Sequence, residues 1–254
     1  MFKIKREDIK MRKILIAFGF LVALNFLMMP KADASLIGYW NFNEGLGDVA
    51  NDSSGFGNHA TGLESGWVPG KYGYGTNSST IIVQPDSSLL PSSSLTISAW
   101  AKIDEFNGLQ RRIAEMEYRY GLLFNPPNVD FETPFLFNIN SDNFGLEFQN
   151  PEIGEWFHAA VSWDGSIVQF YYNGVPATPV VVNATIDQVG GVPLYLGAQG
   201  YTLDEARIYN TALSRGDVIR DMNFDSTAVP EPSTMLLLGA GLLGGVRLRK
   251  KSSI

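Results

Sequence analysis

Leu95-Thr96-Ile97-Ser98-Ala99-Trp100-Ala101-Lys102-Ile103 is the stretch whose reading decides the fold. Leu95, Ile97, Ala99, Ala101 and Ile103 fall on one side of an extended chain, and Thr96, Ser98, Trp100 and Lys102 on the other. A period of two marks a strand with two distinct faces, because successive side chains point to opposite sides of a sheet. Downstream, Trp156 to Trp163 and Ile167 to Tyr172 flank Asp164-Gly165, a hairpin signal, and Asn173-Gly174 supplies the next turn. Upstream, Leu36 to Phe42 is the first strand-like run. Weaker strands are expected at 81–83, 112–117, 121–124, 135–139, 144–148, 180–182, 194–196 and 202–209. Helical signal is confined to 214–224, where Ser214 and Asp217 form a cap-like pair ahead of Val218, Ile219 and Met222. Many short strands punctuated by Gly, Asn, Ser and Pro predict an all-β fold, a two-sheet antiparallel jelly-roll sandwich forming one domain.

The two ends differ from this body. Lys3, Lys5, Arg6, Lys10, Arg12 and Lys13 precede an apolar run from Ile14 to Met29, and Ala32-Asp33-Ala34 follows. That order describes a secretory signal peptide over 1–34, with cleavage between Ala34 and Ser35. An uncut membrane anchor is the alternative, disfavoured by an apolar run shorter than the ~20 residues of a spanning helix. At the other end, Val229-Pro230-Glu231-Pro232-Ser233-Thr234 precedes an uncharged run from Met235 to Val246, then Arg247, Arg249, Lys250 and Lys251. The prolines hold the motif extended for reading by another protein's cleft. The short apolar helix that follows contains Gly239, Gly241, Gly244 and Gly245 and makes a weak, transient membrane anchor. The chain therefore divides into 1–34, a body at 35–228 and a tail at 229–254.

Between Ser35 and Val229 there are eight basic and twenty-two acidic residues, a formal charge of about −14 that the whole-chain value of −7 conceals. So acidic a body disfavours nucleic acid and anionic lipid as partners. The chain has no cysteine and only two histidines, His59 and His158, which excludes thiol catalysis, Cys-ligated zinc and a multi-histidine metal site.

The tail resembles the PEP-CTERM sorting signal of Gram-negative bacteria, in its Pro-Glu-Pro motif, glycine-containing helix and basic terminus. The resemblance implies an exosortase as processing partner, passage through the inner membrane, and delivery to the cell surface or extracellular matrix of an exopolysaccharide-making host. A second resemblance rests on landmarks in order. These are Gly38-Tyr39-Trp40-Asn41-Phe42, Asn51-Asp52-Ser53-Ser54-Gly55, Gly70-Lys71-Tyr72-Gly73, Leu95 to Trp100, Trp156-Phe157-His158, Asp164-Gly165, Tyr172-Asn173-Gly174 and Leu203-Asp204-Glu205-Ala206-Arg207-Ile208-Tyr209. The body is thereby similar to the laminin-G-like, concanavalin A-like jelly-roll family over about 36–222. That implies a binding or adhesive module, for carbohydrate, exopolysaccharide or another surface protein, often with one structural Ca2+. Residues 104–155 depart from the family's landmarks, and loops in that region are expected to shape the ligand surface.

Carried over from the family, Asp52 and Asp204 are the expected calcium ligands, with Asn58 or the Gly57 backbone as helpers, since a hard cation takes six to eight oxygens. The other readings stay open: Asp52 as an Asx-turn acceptor, and Asp204 as a partner of Arg207. His158 is expected to be a structural histidine of its strand. Trp40, Trp100 and Trp156 are expected in the core, and Trp67, among Gly and Pro, on the surface. Arg111-Arg112 would meet an acidic polysaccharide or lie in a solvated loop. Glu115 and Glu117 have the i, i+2 spacing of two glycosidase carboxylates, but they lack a third acid and apolar flanks, and their polar neighbours do not suggest a cleft floor. A non-catalytic binding module is the leading expectation. A structural matrix component without a specific ligand, or a glycoside hydrolase or lyase, are the alternatives.

Overall fold

The computed structural model of the chain describes residues 35–105, 111–125, 133–140, 142–197 and 200–226. The signal segment to Ala34, the Pro230-Glu231-Pro232 motif and the apolar helix after it lie outside the described residues. The first strands are β1 (Leu36–Trp40), β2 (Val49–Ala50), β3 (Ala60–Thr61), β4 (Trp67–Pro69), β5 (Tyr74–Thr76), β6 (Ile81–Val83), β7 (Leu95–Ile103) and β8 (Arg111–Met116). Then come β9 (Tyr120–Phe124), β10 (Phe135–Ile139), β11 (Asp142–Leu146), β12 (Trp156–Trp163), β13 (Ile167–Tyr172), β14 (Val175–Pro176), β15 (Val180–Val181), β16 (Leu194–Leu196), β17 (Tyr201–Tyr209) and a helix, α1 (Arg215–Met222).

The first sheet has the order β14-β13-β12-β7-β17-β5-β4, with β1 also on β17 and β15 on β13. The second runs β11-β10-β9-β8-β16-β6-β3-β2, and the pairs in both sheets are antiparallel. One apolar core lies between them. Leu95, Ile97, Ala99, Phe157, Val161 and Trp163 come from the first sheet, and Ile113, Tyr120, Leu122, Phe135, Phe137 and Ile139 from the second. Full burial of each large apolar side chain stabilises the fold by about 1.5–3 kcal/mol before entropy is counted.

Local signals in the sequence explain the joints. Asp164 Oδ1 accepts from Ser166 N at 2.9 Å and Ile167 N at 2.8 Å, closing the β12–β13 turn. Asn173 and Gly174, with φ of 50° and 73°, form the left-handed pair that a tight hairpin needs between β13 and β14. Ser214 and Asp217 make a reciprocal capping box at the start of α1.

Three expectations shift. The strand placed at 144–148 begins at Asp142, because Asn140 (φ 54°) turns the chain early and Asp142 then pairs with Ile139. Trp67 is half-buried against the core, its Nε1 donating to Gly47 O at 2.7 Å, where a surface position was expected. Trp156 is also half-buried, on the outer face under Lys102, whereas Trp40 and Trp163 are fully enclosed.

Candidate functional site

Register places a polar row across the outer face of the second sheet. Tyr195 of β16 lies opposite Glu115 of β8, Glu115 opposite Gly121 of β9, Gly121 opposite Asn138 of β10, and Asn138 opposite Asn143 of β11. Arg112 joins this row although it stands three positions before Glu115, a spacing that normally puts side chains on opposite faces. A bulge between Arg112 and Ala114 inserts the extra residue that brings both to one side.

Gly121 is the floor of the row. A Cβ there would stand 2.7 Å from Asn138 Oδ1 and 3.1 Å from Glu115 Cβ, so only glycine lets those two side chains close over the strand. They do close: Asn138 Nδ2 donates to Glu115 Oε1 at 2.6 Å. Arg112 Nε donates to Glu115 Oε2 at 2.5 Å, and Arg112 Nη2 to Glu117 Oε1 at 3.3 Å. The guanidinium also lies 5.2 Å from the Tyr195 ring centre.

Above this floor is a cavity of about 280 Å³ lined by Arg112, Glu115, Glu117, Tyr118, Asn138, Asn140 and Asn143. That is near the lower end of the ~300–1,000 Å³ range of small-molecule clefts. Asn138 is only 8 % exposed, yet its Oδ1 has no hydrogen-bond partner. That oxygen is placed to accept from a donor entering the cavity. Tyr118, at φ 60° in the β8–β9 turn and 66 % exposed, stands at the rim with its ring open to solvent. The expectation that Glu115 and Glu117 lie away from any cleft floor is therefore corrected, since both line the cavity. The region 104–155 supplies this surface, but through strands and tight turns.

The residues expected to hold calcium are distributed differently. Asp52 Oδ1 accepts from Tyr39 N and Ser54 N at 2.9 and 2.8 Å. Its Oδ2 accepts from Ser54 Oγ and Asn58 N at 2.8 and 2.9 Å. Asn58 O accepts from Trp40 Nε1 and Gly57 O from His59 N. Asp52 and Asn58 are thus brought together, but as a turn whose oxygens already receive N–H and O–H donors. Asp204 is not with them. It accepts from Tyr72 N at 2.9 Å and Glu205 N at 2.8 Å, on the far side of β1 from Asp52. As arranged, this donor set does not fit a calcium cage of six to eight free oxygens. Among the described residues no cluster of three or more His, Asp or Glu side chains gathers as metal ligands. Burial pushes the Asp204 carboxyl up to about 8, against the N–H of Tyr72.

The outer face of the first sheet holds a second polar group, covered by α1. Asp221 accepts from Ser98 Oγ, from Tyr209 Oη at 2.5 Å, and pairs with Arg207 Nη1 at 3.4 Å. Glu205 accepts from Tyr39 Oη at 2.6 Å and pairs with Arg207 Nη2. Arg207 therefore pairs with Glu205 and Asp221, and not with Asp204. His158 is fully buried, with Nε2 3.9 Å from Asp221 Oδ2. Burial holds its imidazole down to about 4, Asp221 opposing that shift and Arg207 adding to it.

A family model described as the concanavalin A-like lectin/glucanases superfamily matches residues 75–219, and the PEP-CTERM protein-sorting motif matches 228–251. Among solved structures, domain 4 of AbnA, an extracellular arabinanase of Geobacillus stearothermophilus in complex with arabinotriose, superposes with TM-score 0.60 and 22 % identity. That match covers 74 % of this chain and 98 % of the arabinanase domain. The binding domain of Paraclostridial Mosquitocidal Protein 1 gives TM-score 0.59 and 16 % identity over 74 % of this chain and 52 % of its own. The ligand-binding domain of botulinum neurotoxin serotype D, in complex with N-acetylneuraminic acid, gives 0.56 and 14 % over 73 % and 50 %. At these identities the likeness bears on the fold alone. The chain matches no curated protein sequence.

Proposed function

The chain belongs to the concanavalin A-like lectin/glucanases superfamily and ends in a PEP-CTERM protein-sorting motif, and from that premise we propose that it is an exported, exosortase-processed surface or matrix protein whose sandwich binds carbohydrate without cleaving it. The observation that carries this reading is the cavity on the second sheet, with the unpartnered Asn138 carbonyl inside it and the exposed Tyr118 ring at its rim. Fixed polar groups on a rigid sheet bind a polyol at little cost in order, and an open aromatic face stacks on the apolar face of a sugar ring. The arabinotriose and N-acetylneuraminic acid in two similar folds support carbohydrate as the ligand class.

Binding without cleavage rests on Glu115. Both of its oxygens accept hydrogen bonds, one from Asn138 Nδ2 and the other from Arg112 Nε, which ties the carboxylate into the floor of the cavity as a structural acceptor. The test is a glycan array probed with the full chain in a non-glycosidic detergent. Binding to at least one glycan class, lost in Asn138→Ala and accompanied by no release of reducing ends, is expected. Silence on every glycan would leave a structural matrix component without a ligand. Reducing-end release abolished by Glu115→Gln would make the protein a glycoside hydrolase.

A further inference from the structure

We propose that the cavity on the second sheet selects neutral or amine-bearing sugars and rejects acidic ones, an inference that rests on the carbohydrate reading of that same cavity. The cavity's lining holds two carboxylates, Glu115 and Glu117, beside three asparagines and one arginine. Asn138 Oδ1 is buried and without a partner, so it accepts from a sugar hydroxyl or amine and offers nothing to a carboxylate or sulfate group itself. The one cation among the described lining residues is already bracketed: Arg112 donates to Glu115 and to Glu117. An anionic sugar would meet two carboxylates for each guanidinium and would have to break one of those pairs to reach it. Of the Arg111-Arg112 pair expected to meet an acidic polysaccharide, Arg112 is engaged by carboxylates, which opposes that role for it. The body's formal charge of about −14 acts in the same direction on a polyanion, over the ~8 Å that physiological salt permits. Glu117, whose side chain is 45 % exposed, offers a further acceptor for a hydroxyl or an ammonium group.

The experiment titrates the full chain, in non-glycosidic detergent, with three oligosaccharides of matched length: a neutral mannan, a glucosamine oligomer and an oligogalacturonate. The neutral or the amine-bearing oligomer is expected to bind at least about tenfold tighter than the oligogalacturonate, a difference of about 1.4 kcal/mol. Added salt is expected to leave the neutral-sugar affinity unchanged. Removing the bracketing charges in Glu115→Gln/Glu117→Gln frees Arg112, and oligogalacturonate affinity should then rise about tenfold or more. Glu117→Gln alone, an exposed change that spares the folded sheet, should move it the same way by less. If the unaltered chain binds oligogalacturonate as tightly as the other two, the selectivity is refuted while the carbohydrate reading stands. If none of the three binds and the glycan array is also silent, both fall.

Discussion

Two polar rows cross this sandwich, one on the outer face of each sheet, and they have opposite fates. Across the first sheet run Tyr39, Arg207, Ser98, Ala160 and Tyr171, each directly opposite the next. Across the second run Tyr195, Glu115, Gly121, Asn138 and Asn143. The first row lies under α1, whose Val218 packs with the preceding Leu213 against Ala160 and Tyr171 and whose Asp221 stands among the charges. Among the described residues no element covers the second row, which keeps a cavity. Under α1 the charged groups pair with one another into an ionic lock, although the buried His158 beside them has no hydrogen bond to either ring nitrogen. An open row can leave one buried carbonyl for a ligand, and Asn138 does.

The sharpest way to break this contrast is to cut the lock. Asp221→Ala leaves Glu205 as the carboxylate paired with Arg207 and strips Ser98 and Tyr209 of their acceptor. Removing one partner of a buried charge cluster costs about 3–5 kcal/mol. The melting temperature should therefore fall by roughly 10 °C, with glycan affinity in the surviving folded protein unchanged. A loss of affinity larger than the loss of folded protein would show that the two faces are coupled.

His158 tests the same seal through pH. Its folded value of about 4 lies below the ordinary 6.5, so its contribution is present above about pH 6.5 and is lost as pH falls toward 4. Asp204, pushed up to about 8, works in the other direction: its contribution is full at low pH and is lost as pH rises. The two offset each other in the wild type, so the measurement is a difference. The stability of wild type minus that of His158→Met should shrink by about 3 kcal/mol between roughly pH 7 and pH 4. A difference that stays flat means the imidazole is not sealed from water.

A smaller effect belongs to Asp52, whose carboxylate ties Tyr39, Ser54 and Asn58 together at the edge of β1. Asp52→Ala should cost about 1–3 kcal/mol from the donors it leaves unpaired. Because those donors already fill its oxygens, EDTA should not move the wild-type melting temperature. A downward shift in EDTA that Asp52→Ala abolishes would restore calcium to this turn.

The two rows were unequally legible. Alternation in Leu95–Ile103 and turn residues at Asp164-Gly165 and Asn173-Gly174 gave strand bounds that match β7, β12 and β13, because both signals are local. Asp204 to Tyr209 stood out as a landmark, but its work is packing and ionic pairing, which no spacing distinguishes from metal binding. The cavity was half visible. Glu115 and Glu117 have a spacing that can be read along one strand. Arg112 reaches them only through a bulge, and Asn138 only through the register of β9 and β10. One sign was present: Asn138 interrupts the otherwise apolar Phe135-Leu136-Phe137-Asn138-Ile139. A polar residue inside such a strand needs a partner or faces a site.

Asn138→Ala gives the smallest expected change in stability and completes the contrast. The variant loses the bond to Glu115 Oε1, but that oxygen borders a cavity that water can enter, and the unpaired carbonyl goes with the side chain. The net cost should stay under about 1 kcal/mol, a shift of no more than roughly 4 °C. Glycan affinity, by contrast, should fall at least about tenfold. Gly121→Ala approaches the same point from beneath, since its Cβ would press on Asn138 Oδ1 and turn the carbonyl from the cavity. The two variants should lose affinity together. If Asn138→Ala instead melts as low as Asp221→Ala, the second row is as much a structural lock as the first, and the distinction between a sealed face and a binding face fails.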